Sequence, residues 1–102
     1  LEAGDRADRV IATLREHAAE LRLAGVRHLA LFGSVARGDC GDDSDVDLLV
    51  DLDPAARIGL IGLSALERRI GGILGERVDL VPGPIETPRV RDRIARDVRH
   101  AF

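Results

Sequence analysis

Two aspartates, Asp45 and Asp47, open the apolar run Leu48-Leu49-Val50, a short way downstream of a Gly33-Ser34 pair. In an extended chain, residues two apart project from the same face. The spacing therefore places both carboxylates side by side, with Val46 and Leu48 pointing the other way. Such charges about 4 Å apart repel by about 4 kcal/mol at an effective dielectric of 20. A divalent cation relieves the repulsion, and hard oxygen donors select Mg²⁺, with Mn²⁺ as a substitute. Gly33 lets the backbone approach a ligand closely, and Ser34 sets a hydroxyl beside the amides of a turn. The pair reads as a cradle for nucleotide phosphates next to a metal site. The plainer alternatives are an ordinary strand-to-helix turn and a solvated acidic turn. Aspartate within an apolar strand is unfavourable, which counts against the second.

Two neighbouring chemistries fail on residue type. Gly33 to Gly38 has the spacing of a P-loop opening, but that motif continues with Lys and Ser or Thr, where this chain has Asp39 and Cys40. All 15 basic residues are Arg, so the chain has no P-loop lysine to offer. Asp43, Asp45 and Asp47 also fall on alternate positions of a calcium loop. Leu48 then stands where Gly is required and Pro54 where Glu is required.

The elements that must position these residues follow from periodicity. Asp5 or Asp8 is expected to cap a helix running to Ala24, with Val10, Leu14, Ala18 and Leu21 on its apolar stripe and Gly25 as its stop. Val26–Phe32 reads as a strand covered on both faces. A helical turn through Val35-Ala36-Arg37 follows, then an acidic loop from Asp39 to Asp43, then a strand over Asp45–Leu52. Pro54 marks a turn, and Ile58–Leu74 reads as a helix that Gly71-Gly72 weakens and Gly75 ends. Arg77–Val81 is a short strand closing at Pro82-Gly83-Pro84. Thr87-Pro88 looks like a capped start to a C-terminal helix with Val90, Ile94, Val98 and Ala101 on one face. His17 and His28 are expected at the surface. The order is α-β-α-β-α-β-α, and pattern alone leaves strand direction open.

Composition bounds the function class. The 102 residues suit a single domain spanning 1–102, and with only two aromatics the core must be aliphatic. A net charge of −3 argues against general nucleic-acid binding. The lone Cys40 forms no internal disulfide, and Ile58–Leu66 is far short of the ~20 apolar residues of a membrane helix. With no basic-then-apolar leader in view, a cytoplasmic location is expected. Asp39, Asp42, Asp43 and Asp51 read as solvated acids. The arginines from Arg89 to Arg99 read as the polar face of the last helix, with a basic stripe facing a partner or the nucleotide as the alternative.

The run Gly33, Ser34, Ala36, Arg37, Gly38, Ser44, Asp45, Asp47, Leu48, Leu49 and Val50, together with Val78-Asp79-Leu80-Val81, resembles the signature of the DNA polymerase β-like nucleotidyltransferases. It is similar in particular to the short, stand-alone minimal nucleotidyltransferases (MNT). The resemblance implies an α/β (α+β) fold, a small mixed sheet with helices packed on it. It implies a two-Mg²⁺ site on Asp45, Asp47 and Asp79, with Asp79 helping to deprotonate the attacking hydroxyl. Gly33, Ser34, Arg37 and Ser44 would serve the nucleotide, Ser44 by orienting the first carboxylate and Arg37 by contacting phosphate. Pairing of Arg37 with Asp39 or Asp43 is the structural alternative. The implied reaction moves AMP from ATP to a protein hydroxyl and releases pyrophosphate. The implied setting is the antitoxin half of a HEPN/MNT toxin–antitoxin pair, whose partner is a small helical HEPN-type toxin. Two alternatives stand beside it: a non-catalytic antitoxin acting by binding, and transfer to a small-molecule hydroxyl. The second has little room on so short a chain.

Overall fold

The computed structural model describes residues 3–37, 45–83 and 98–102. Helices α1 (Ala3–Glu16) and α2 (Ala18–Leu23) lead into strand β1 (Val26–Phe32), which turns directly into the short helix α3 (Gly33–Arg37). Strand β2 (Val46–Leu52), a 3-10 turn (Pro54–Ala56), helix α4 (Leu60–Leu74) and strand β3 (Val78–Pro82) follow, and β4 (Arg99–His100) closes the series. The sheet order is β3-β2-β1-β4. β2 runs antiparallel to β1 and parallel to β3, and β4 pairs antiparallel with the other edge of β1. The architecture is the mixed sheet with packed helices that the sequence leads one to expect. The parallel pair needs a crossover, and α4 supplies it.

The alternation in β2 decides which face carries what. Val46, Leu48 and Val50 are fully buried, while Asp47, Leu49 and Asp51 on the opposite face are half-buried. Leu29 and Leu31 of β1 and Leu80 of β3 join the buried face, where they meet Val10 and Leu14 of α1, Leu21 of α2, Val35 of α3 and Ile70 of α4. The core is thus aliphatic, each fully buried Leu or Val contributing about 1.5–3 kcal/mol relative to exposure. Phe102 sits at its margin, with the Arg22 guanidinium 5.1 Å from the ring centroid. Among the described residues no helix is long and apolar enough to cross a membrane.

Four expectations change in detail. The first helix begins by Ala3, so Asp5 and Asp8 lie inside it rather than capping it, and Asp8 instead accepts a 2.7 Å hydrogen bond from Arg99 Nη2. The same helix breaks at His17. Its N–H is shared between the Thr13 and Leu14 carbonyls (3.3 and 3.1 Å), and its ring Nδ1 lies 3.0 Å from Thr13 O. That competition for one carbonyl tightens the turn and restarts the helix as α2. By contrast, α4 runs unbroken through Gly71-Gly72. A Cβ at Gly71 would lie 3.0 Å from Glu76 O, and Gly71 O accepts the amides of Gly75 and Glu76 (2.7 and 3.1 Å). Gly71 therefore admits the terminating turn, which Gly75 completes at φ 68°.

The chain end differs most. Arg99-His100 is a strand, and Ala101 is buried with its amide donating to Leu29 O at 2.8 Å, so neither Arg99 nor Ala101 is helical. The edge of β1 away from β2 would otherwise be unpaired, and the final residues supply its partners. Thr87-Pro88, Val90 and Ile94 lie outside the described residues.

Candidate active site

The turn from β1 into α3 is built on Gly33, whose φ of 78° is comfortable only without a side chain. A Cβ there would strike Asp47 Oδ2 and come within 3.2 Å of its Cγ. The glycine is required because the backbone of one strand end closes directly against a carboxylate of the next strand. Ser34 follows, half-buried, in the first turn of α3, and Val35 is pinned in the core.

Register brings two of the acids together. Asp47 is the ladder partner of Phe32 on one side and of Asp79 on the other. Ladder partners project from the same face, so Asp47 and Asp79 stand next to each other on the face away from the core. The neighbouring row on that face, Ala30-Leu49-Val81, is apolar and borders the carboxylates on one side. Asp47 is half-buried and Asp79, on the edge strand, is exposed. Asp45 precedes β2 and is exposed at its mouth, rather than standing inside the strand as expected. It lines a cavity of about 410 Å³ together with Glu67, Arg68, Glu76 and Arg77.

Among the described residues no group of three or more His, Cys, Asp and Glu is gathered closely enough to hold a metal ion. The structure thus pairs Asp47 with Asp79 and sets Asp45 at the strand mouth, in the cavity bordered by α4, without drawing the three into one closed cluster. The donor chemistry fits a hard cation: every oxygen belongs to a carboxylate, and the absence of a side chain at Gly33 lets the Asp47 carboxylate lie directly against the turn. Arg37 closes α3. Ser44 and Gly38, with Asp39, Cys40, Asp42 and Asp43, lie outside the described residues.

Two polar contacts around the site are not legible in the sequence. Arg6 of α1 donates through Nε (2.8 Å) and Nη2 to Glu76, tying α1 to the turn that opens β3. Glu67 of α4 accepts the Leu80 amide at 3.0 Å, immediately after Asp79. Partners separated by 70 and 13 residues leave no periodic trace.

Residues 11–100 match the nucleotidyltransferase domain family. Protein adenylyltransferase MntA of Thermococcus cleftensis is 41% identical over 72% of this chain and 74% of its own length. A solved structure described as a candidate minimal nucleotidyltransferase is 32% identical, covers 97% of this chain and 95% of its own, and superposes with a TM-score of 0.68. A toxin–antitoxin complex crystallised with AMP-PNP shares the fold, with a TM-score of 0.65 at 21% identity over 94% of this chain and 72% of its own. The chain accordingly belongs to the nucleotidyltransferase domain family, a family of enzymes, as a minimal nucleotidyltransferase of the MntA kind.

Proposed function

We propose that this protein transfers AMP from ATP to a hydroxyl of another protein in a Mg²⁺-dependent reaction, as the antitoxin of a HEPN/MNT pair. The observation that carries the reading is the ladder pairing of Asp47 with Asp79 directly against Gly33. The adenylyltransferase name of the Thermococcus relative and the toxin–antitoxin complex with AMP-PNP support the donor and the setting. In this reading Asp45 and Asp47 hold the metal with Asp79 beside them, and Gly33 and Ser34 receive the phosphates. Bound Mg²⁺ would supply electrophilic polarisation of the α-phosphate and charge neutralisation on the leaving pyrophosphate. Asp79 takes the proton of the acceptor hydroxyl. The acceptor oxygen forms a bond to the α-phosphorus as the bond to the α,β-bridging oxygen breaks, and pyrophosphate departs with that electron pair. Arg37 and Ser44 complete the proposed nucleotide contacts.

What surrounds the carboxylates supports transfer to a protein. The row beside them is apolar and the edge strand carrying Asp79 is exposed, so the acceptor must bring its own binding surface. The net charge of −3 disfavours a nucleic-acid backbone. The chain contains no Tyr, which excludes tyrosine self-modification. ATP labelled at the α-phosphate, incubated with Mg²⁺ and the product of the neighbouring reading frame, is expected to label that protein. ATP labelled at the γ-phosphate is expected to label nothing. Label on RNA or a small molecule, with the protein unmarked, would overturn the proposal.

The metal has its own test. Millimolar Mg²⁺ with ATP at about 100 times its Kd stabilises the native state by about 2.7 kcal/mol through mass action. For a domain near 100 residues that raises Tm by roughly 10–20 °C. The Asp45→Asn, Asp47→Asn double variant is expected to lose the ATP-dependent part of the shift. An unchanged shift in the double variant would place the nucleotide elsewhere.

A further inference from the structure

We infer that Glu67 is a positioning residue for Asp79, holding the outer edge of β3 through the Leu80 amide. The inference rests on the proposed catalytic role of Asp79. Among the described residues β3 is an edge strand, hydrogen-bonded only to β2. Two bonds mark the ends of that parallel ladder: Val46 N–H to Arg77 O at 2.9 Å and Gly83 N–H to Val50 O at 2.8 Å. Between them the odd-numbered residues of β3 turn their peptide groups toward β2, so the Asp79 carbonyl faces the ladder. The N–H on the same peptide plane belongs to Leu80 and faces outward.

At a sheet edge that donor would ordinarily go to water. Here Glu67 Oε2 accepts it at 3.0 Å, from a helix that packs on β3. The next outward position is Pro82, which has no N–H to give. The plane joining Asp79 to Leu80 is therefore gripped on both sides, by β2 and by Glu67. Gripping that plane restricts the backbone torsion that aims the Asp79 carboxylate, whose own side chain is exposed. The buried Leu80 side chain restrains the next residue from the core side. Without Glu67 the acid that faces Asp47 would be carried by a strand held along one edge only.

Glu67 also lines the cavity that Asp45 borders, with Arg68, Glu76 and Arg77 nearby, so a role through its charge is the rival explanation. Two substitutions separate charge from hydrogen bonding. Glu67→Gln keeps a carbonyl oxygen at the same reach and loses the charge. Glu67→Asp keeps the charge and falls short of the amide.

The experiment follows pyrophosphate release from ATP and Mg²⁺ with the neighbouring gene product as acceptor, alongside hydrogen exchange at the Leu80 amide. Glu67→Gln is expected to stay within about twofold of wild type in kcat and to keep Leu80 protected. Glu67→Asp and Glu67→Ala are expected to lower kcat about tenfold, as a modest misplacement of a reacting group does, with KM for ATP within about twofold and faster exchange at Leu80. If Glu67→Ala does not fold, the Gln and Asp variants carry the comparison. Damage in Glu67→Gln equal to that in Glu67→Asp would show that charge matters and overturn the inference. So would wild-type kcat in Glu67→Asp. Asp79→Asn distinguishes the two levels: an active Asp79→Asn removes the reading of the site itself and this inference with it. An inactive Asp79→Asn beside a fully active Glu67→Asp removes only the positioning role.

Discussion

Asp47→Asn is expected to lower AMP transfer by on the order of 10³-fold and to leave the protein folded. That size is the upper end of what loss of a single preorganised electrostatic group costs. Asp47 earns the larger effect by position. It stands on the central strand β2, half-buried, with Gly33 against its carboxylate and Asp79 as its ladder partner. Asn preserves its shape and removes the charge that a metal requires. Asp79→Asn is expected to lower kcat on the order of 10²–10³-fold, the scale on which a positioned proton acceptor contributes. Its side chain is exposed on an edge strand, so Tm should move by less than a few degrees, as for ordinary surface substitutions of about 0.5 kcal/mol. Lost turnover with retained Tm identifies chemistry rather than folding as the cause. Transfer by Asp47→Asn within tenfold of wild type would mean that the metal is held by other residues.

Much of the scaffold could be read from the chain because β1 and β2 carry unmixed signals. Val26–Phe32 and the alternation from Val46 to Val50 appear as strands at the expected places, and Gly25 and Gly75 end their helices. Which residues share a row could not be read. The pairing of Asp47 with Asp79 depends on a parallel register set by the α4 crossover, and nothing local to either residue encodes it. Asp79 reached the site by family resemblance alone. The break at His17 was equally hidden, since the apolar stripe continues from Leu14 to Leu21 across it and only a carbonyl competition interrupts the helix. The terminal strand misled for a different reason. Val98 and Ala101 share a helical spacing with Val90 and Ile94, whereas Arg99 to Ala101 answer to the open edge of β1. Gly33 was read as a place where a phosphate approaches closely. The structure adds a nearer reason, the carboxylate of Asp47.

That nearer reason predicts an ordered loss at position 33. Gly33→Ala must hold an L-residue at φ 78°, a conformation that costs roughly 1–2 kcal/mol, and must seat a Cβ against the Asp47 carboxylate. The backbone penalty alone lowers Tm by roughly 5–15 °C in a domain of this size. The steric part falls on the site itself, because either Asp47 swings away from Asp79 or the Ser34 turn moves. A displacement of about 1 Å at reacting groups costs on the order of 10² in rate, so Gly33→Ala should lose about that much transfer activity. Gly33→Val adds two γ-methyls to the same crowded position and should be worse in both Tm and turnover. A double-mutant cycle isolates the contact. In an Asp47→Ala background the struck carboxylate is gone and only the Cβ at position 47 remains, 3.3 Å away, so Gly33→Ala should cost less stability there than in wild type. Equal costs in the two backgrounds would mean that the contact with Asp47 contributes nothing. Wild-type turnover in Gly33→Val would remove Gly33 from the active site altogether.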